Sequence, residues 1–169
     1  MMLRNTAKIL SPYLFALLCI IAGPSHVLGQ TIIMQDGVTV NECSGIFYDT
    51  GGPSADYSNS ENLTMTICPT GGAGSGPNTS VEFTFWTVQG GTVDQLSIYD
   101  GTTTSSLLGI GNGDNPLLGQ VFTSTDVSGC LTFQWVSNAT ITAPGWAAMI
   151  TTGPNAGIDG SITVCSNIP

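Results

Sequence analysis

The chain has 169 residues, with two bases, eleven acids, one histidine and a formal charge of −9. Arg4, Lys8 and His26 all precede Gln30, whereas every acid follows it, so the segment from Gln30 onward is acidic throughout and has no side-chain cation. That excludes nucleic acid and anionic membranes as partners, since phosphate recognition needs Lys or Arg to release counterions; divalent cations and basic proteins are the electrostatically favoured ones.

The opening MMLRNTAKILSPYLFALLCIIAGPSHVLGQ reads as a secretory signal peptide over residues 1–29. Arg4 and Lys8 form its basic start, Ile9 to Gly23 is apolar but short for a membrane span, and Val27 and Gly29 suit a cleavage site before Gln30. The expected location is therefore secreted, either extracellular or at the cell surface. Cleavage removes Cys19 and leaves Cys43, Cys68, Cys130 and Cys165, an even number at spacings that match no zinc motif. Two disulfides are expected in an exported chain. Of the three possible connectivities, the pairing expected is Cys43–Cys68, neighbours in sequence, with Cys130–Cys165.

Beyond the leader, short alternating apolar runs recur between Gly, Pro, Asn, Ser and Thr clusters. In chain order they are TIIM (31–34), VTV (38–40), GIFY (45–48), LTMTI (63–67), VEFTFWTV (81–88), DQLSIY (94–99), SLLGI (106–110), LTFQWV (131–136), GWAAMI (145–150) and SITV (161–164). This pattern predicts an all-β sandwich or jelly roll. Strand parity places Val81, Phe83 and Phe85 on one face, opposite Glu82, Thr84 and Trp86. It likewise turns inward Leu96 with Ile98, then Leu131, Phe133 and Trp135, then Trp146, Ala148 and Ile150. PTGGAGSGPNTS (69–80) and GIGNGDNP (109–116) read as loops, and the second lacks the spacing and the lysine of a phosphate cradle.

The absent residues restrict the chemistry further. Without His, Lys or Arg after Gln30, no Ser-His-Asp or Cys-His nucleophile, histidine-ligated zinc or Schiff-base lysine can be built. Carboxylate pairs remain, but Asp94 and Asp100 on one extended strand stand about 20 Å apart, too far to cooperate. No enzymatic activity is expected of this segment. Trp86, Tyr57 and Tyr99 fall off the inward rows and are candidate ligand-contact rings, although large aromatics in a small sandwich usually cover core edges. Asn62, Asn78 and Asn138 begin N-x-S/T sequons.

CSGIFYDTGGPSADYSNSENLTMTICP, VDQLSIYDG and LTFQWVSNATITAPGW together resemble a CUB domain, in the form common in exported multidomain proteins of the Bacteroidetes. The resemblance covers residues 41–152. It leaves 30–40 as an N-terminal strand or lead-in, and 153–169 as a tail or the start of a following module. It implies a jelly-roll sandwich acting as a non-catalytic interaction or adhesion module that contacts extracellular protein or glycan. Such a module would be an accessory domain of a larger exported protein; alternatives are an accessory domain of a secreted hydrolase and a carbohydrate-binding domain. Many CUB domains bind calcium, and the matching positions here are Gln89, Asp94 and Asn138. The family usually has acids at the first and third, so the expected site is a weak or vestigial one, with Asp49, Tyr57 or Glu61 as further contributors. Asp100 and Gly101 are expected to form a turn.

Overall fold

The computed structural model describes residues 30–71, 73–74 and 77–153. Ten strands run in chain order: β1 (Gln30–Ile33), β2 (Val38–Asn41), β3 (Ser44–Tyr48), β4 (Asn62–Cys68), β5 (Asn78–Thr87), β6 (Gln95–Asp100), β7 (Leu107–Gly111), β8 (Val121–Thr123), β9 (Leu131–Val136) and β10 (Gly145–Gly153). They form two five-stranded sheets, β1-β3-β10-β5-β8 and β2-β4-β9-β6-β7. β1 pairs with β3 and β2 with β4 in parallel, and the other ladders are antiparallel. The result is the expected all-β jelly-roll sandwich.

Each predicted strand from TIIM to GWAAMI is present. The three-residue β8, too short to show alternation, was not anticipated. SITV, the leader and Cys165 lie outside the described residues.

The core fills the space between the sheets, as the parity rows require. Leu96, Ile98, Leu131, Phe133, Trp135, Trp146, Ala148 and Ile150 are all buried. Trp146 is the hub: its ring lies 4.8 Å from Trp135, 6.1 Å from Phe47 and 6.1 Å, stacked, from Trp86. Gly111 on β7 has a packing role, because a Cβ there would stand 2.6 Å from the Trp86 ring. The glycine lets β7 pass beneath that ring.

Among the rows that parity sorts, the one on β5 breaks, with consequences for the surface; a second register shift lies between β6 and β7. The ladder between β10 and β5 pairs Ala148 with Phe83 and Ala147 with Phe85, skipping Thr84 at a β-bulge. An extra residue reverses the alternation beyond it. Phe85, expected inside with Val81 and Phe83, is 44 % exposed. Trp86, expected outside, packs against the core with its Nε1 donating to the Asn112 carbonyl at 3.1 Å.

The disulfide framework also differs from the expected one. Cys68 bonds to Cys130, so neither Cys43–Cys68 nor Cys130–Cys165 forms. Register explains the pairing: β4 and β9 place Ile67 opposite Leu131, which puts Cys68 and Cys130 face to face one step further along the same ladder. Cys43 precedes β3, in the other sheet, and is itself disulfide-bonded. The Cys68–Cys130 bond spans 62 residues, and closing a loop of that length in the unfolded chain is worth about 4 kcal/mol. Peptic mapping of the non-reduced protein should recover Cys68 and Cys130 in one linked pair of peptides, and the Cys68→Ala, Cys130→Ala double variant should lose stability of that order in urea unfolding. A Cys43–Cys68 peptide, or an unchanged midpoint, would contradict the assignment.

Candidate functional site

One end of the sandwich gathers the start of β6, the segment after β5, the segment after β9 and the connection between β3 and β4. Asp94, immediately before β6, is fully buried there. Its Oδ2 accepts the Tyr57 hydroxyl at 2.6 Å and its Oδ1 accepts the Asn138 amide N–H at 2.8 Å. The Tyr57 oxygen in turn accepts the Gln89 N–H at 3.0 Å. Burial and the Asp94 carboxylate it serves push the Tyr57 hydroxyl well above its ordinary pKa.

The three positions singled out by the family resemblance therefore do converge. The Gln89 side-chain amide has two orientations. With its oxygen toward Asn138, it accepts from Nδ2 at 3.0 Å. Rotated half a turn, it loses that contact, but its nitrogen donates to Asp94 Oδ2 at 3.1 Å and to the Thr140 carbonyl at 3.0 Å. The rotated form sets a donor, instead of a third oxygen, between two oxygens, and a bond to a carboxylate is the stronger kind; we assign it. Asn138 Oδ1 caps the following turn by accepting the Thr140 N–H at 2.7 Å.

Two further acids lie at this end. Asp49, also fully buried, accepts the Gly51 N–H at 2.7 Å on Oδ1 and the Trp146 N–H at 3.0 Å on Oδ2. Gly145, at φ +73°, permits this, because Asp49 Oδ2 occupies the place where a Cβ would sit. Burial pushes the Asp49 carboxyl up to about 6 against the pull of the Gly51 and Trp146 amides, and the nearby Glu61 charge adds to the rise. Glu61 itself accepts the Trp135 Nε1–H at 2.8 Å. The sequence offered little to pair Asp49 with Trp146; the only cue was the Gly-Trp dipeptide, whose glycine makes room for a side chain from elsewhere.

The donor set is poor in the charged oxygens that calcium favours. Calcium takes six to eight oxygens and gains affinity with the number of charged ones. Asp94 is the one carboxylate in the cluster of three, and both its oxygens are engaged. Asp49 and Glu61 are committed elsewhere, and among the described residues no three acids, histidines or cysteines converge on a metal position.

The candidate contact rings are also held within the structure. Tyr57 is buried against Trp135 with ring centres 4.9 Å apart, Trp86 is stacked on Trp146, and the half-buried Tyr99 donates to Gln134 Oε1 at 3.2 Å. At the far end of β6, Asp100 organises the turn before β9. Burial works against its charge, but the hydroxyls of Thr125 and Ser124 and the amides of Asp126 and Thr125 hold the carboxyl below its usual range. Gly101 follows at φ +85°.

No family model and no curated protein matches the chain. Among solved structures, it is similar to the extracellular region of zebrafish Gpr126/Adgrg6, with a TM-score of 0.52 and 16 % identity over 75 % of this chain and 15 % of that one. It is similar also to the CUB1-EGF-CUB2 domains of rat MASP-1, with a TM-score of 0.52 and 13 % identity over 68 % of this chain and 42 % of that one. The chain thus spans less than half of either structure. At these identities the likeness is one of fold, and the fold is CUB-like.

Asp49 has a pH signature. A carboxyl whose pKa is raised on folding favours the protonated folded state, so its contribution is full below the unfolded value of 3.8 and is lost as pH rises through about 6. Urea unfolding should show stability increasing as pH falls from about 7 toward 4, with a shallower rise in Asp49→Asn. Parallel profiles for the two proteins would rule out Asp49 as the source.

Proposed function

We propose that this chain supplies a non-catalytic, extracellular interaction module that contacts other proteins and serves as an accessory domain of a larger exported protein. The observation that carries this reading is how the acids are used. Asp49, Asp94, Glu61 and Asp100 each accept hydrogen bonds from neutral donors of the fold itself. The CUB-like fold and the Cys68–Cys130 bond support an extracellular setting. The reading includes independence from calcium, with the Gln89 side-chain amide and the Asn138 backbone N–H doing by hydrogen bonding what a cation would do by charge. A dedicated sugar-binding role is less well supported, because Trp86, Tyr57 and Tyr99 are engaged in internal packing or hydrogen bonds.

Immobilised residues 30–169 should retain protein from the extracellular fraction of the source organism equally well in EDTA and in calcium, with no turnover of protease or glycosidase substrates. Melting curves in calcium and magnesium should coincide, since both ions screen the acidic surface alike. Absence of any retention would overturn the module reading. A calcium-specific rise in Tm abolished by Asp94→Ala would overturn its metal independence.

A further inference from the structure

The outer face of the sheet β1-β3-β10-β5-β8 carries an unusual row. Ile33 pairs with Tyr48, Tyr48 with Ala147, and Ala147 with Phe85, so four apolar residues line up across four strands on the solvent side. Ile33 and Phe85 are exposed, and Tyr48 and Ala147 half-buried. Next to the row lies an open cleft of about 440 Å³. Tyr48 and Phe85 line it with Pro53 and Pro144, the buried Trp146 adjoins it, and Asp56 provides its carboxylate. The bulge between β5 and β10 creates this cleft's aromatic wall, since an unbroken ladder would send Phe85 into the core.

We propose that this cleft is the docking site for a lysine or arginine side chain presented by an extracellular protein partner. This rests on the reading of the domain as a protein-contact module, and names the face and the chemistry it uses. The walls suit the aliphatic stem of a long cationic residue, and aromatic faces attract the cation at its tip. Asp56, an exposed lining residue, is the acid available to that tip, and its Oδ2 also accepts the Thr142 hydroxyl at 3.3 Å. Charge complementarity selects the occupant. The segment from Gln30 onward has eleven acids and no base, so the cation must come from another molecule, and a second copy of this segment cannot provide it. The polar side-chain groups on the lining residues are Ser54, Asp56, the Tyr48 hydroxyl and the Trp146 indole N–H, and Asp56 is the charged one, which favours a cation over a neutral glycan. The cleft walls are supported: Tyr57 N–H donates to the Ala143 carbonyl, which ties the 50–57 segment to the one preceding Trp146.

The test is an amide-shift NMR titration of residues 30–169 with acetyl-Leu-Lys-Leu-amide, against the same peptide with norleucine or glutamate at the centre, and with the N-acetylglucosamine trimer. The lysine peptide should shift Tyr48, Ser54, Asp56, Phe85 and Ala147 saturably, while the norleucine and glutamate peptides bind far more weakly. Phe85→Ala, an exposed position, and Asp56→Asn should each weaken binding about fivefold. Asp126→Asn, at the opposite end of β6, should leave it unchanged. Shifts spread over acids at both ends and indifferent to Phe85→Ala would reduce the effect to general charge attraction and overturn the proposal, as would saturable shifts from the sugar alone. Retention of extracellular protein that survives both cleft variants would refute this face while leaving the module reading intact.

Discussion

Residues 30–169 contain buried carboxylates and no cation to pair with them. Every stable conformation has to meet that constraint, because an ionised carboxylate taken out of water costs several kcal/mol unless it is well solvated by the protein. The fold meets it with neutral donors. Asp94 takes the Tyr57 hydroxyl and the Asn138 amide, and Asp49 takes the Gly51 and Trp146 amides. Asp100 collects hydroxyls and amides from a single turn. Hydrogen bonds to a charged group contribute about 1.5–3 kcal/mol each, so two or three around one carboxylate offset much of its desolvation. Such contacts also fix loop geometry, since each donor belongs to a particular segment.

Trp146 shows how the polar scaffold and the core are joined. Its backbone N–H holds Asp49, while its ring contacts Phe47, Trp135 and Trp86. The strand it belongs to slips by one residue against β5, and the slip exchanges Phe85 for Trp86 between surface and interior. The Trp86 ring then fills the space left by Gly111, and Phe85 is left to the solvent beside Tyr48. One irregularity thus completes the core and at the same time makes the outer face of the sheet adhesive.

Much of this was legible from residues alone. Alternation located every strand from β1 to β10 except β8, and sorted the inner faces of β6, β9 and β10, because the residues skipped at the bulges lie on β5 and β7 and leave those three in step. The bulge was not legible: alternation in VEFTFWTV has no break, and only pairing with β10 reveals the skipped residue. Cysteine order suggested bridges between sequence neighbours, whereas cross-strand register decides which sulfurs meet, and register depends on both strands at once. Gln89, Asp94 and Asn138 meet through hydrogen bonds between separate segments, of which periodicity gives no sign. The link from Asp49 to Trp146 joins residues nearly a hundred positions apart and has no local signature.

The claim that neutral donors stand in for cations is tested most directly by a double-mutant cycle on Tyr57 and Asp94. Urea unfolding of Tyr57→Phe, Asp94→Asn and the double variant should give a coupling energy of about 1.5–3 kcal/mol, because the hydroxyl is worth most when its acceptor is charged. Additive losses, with no coupling between the two positions, would contradict the account.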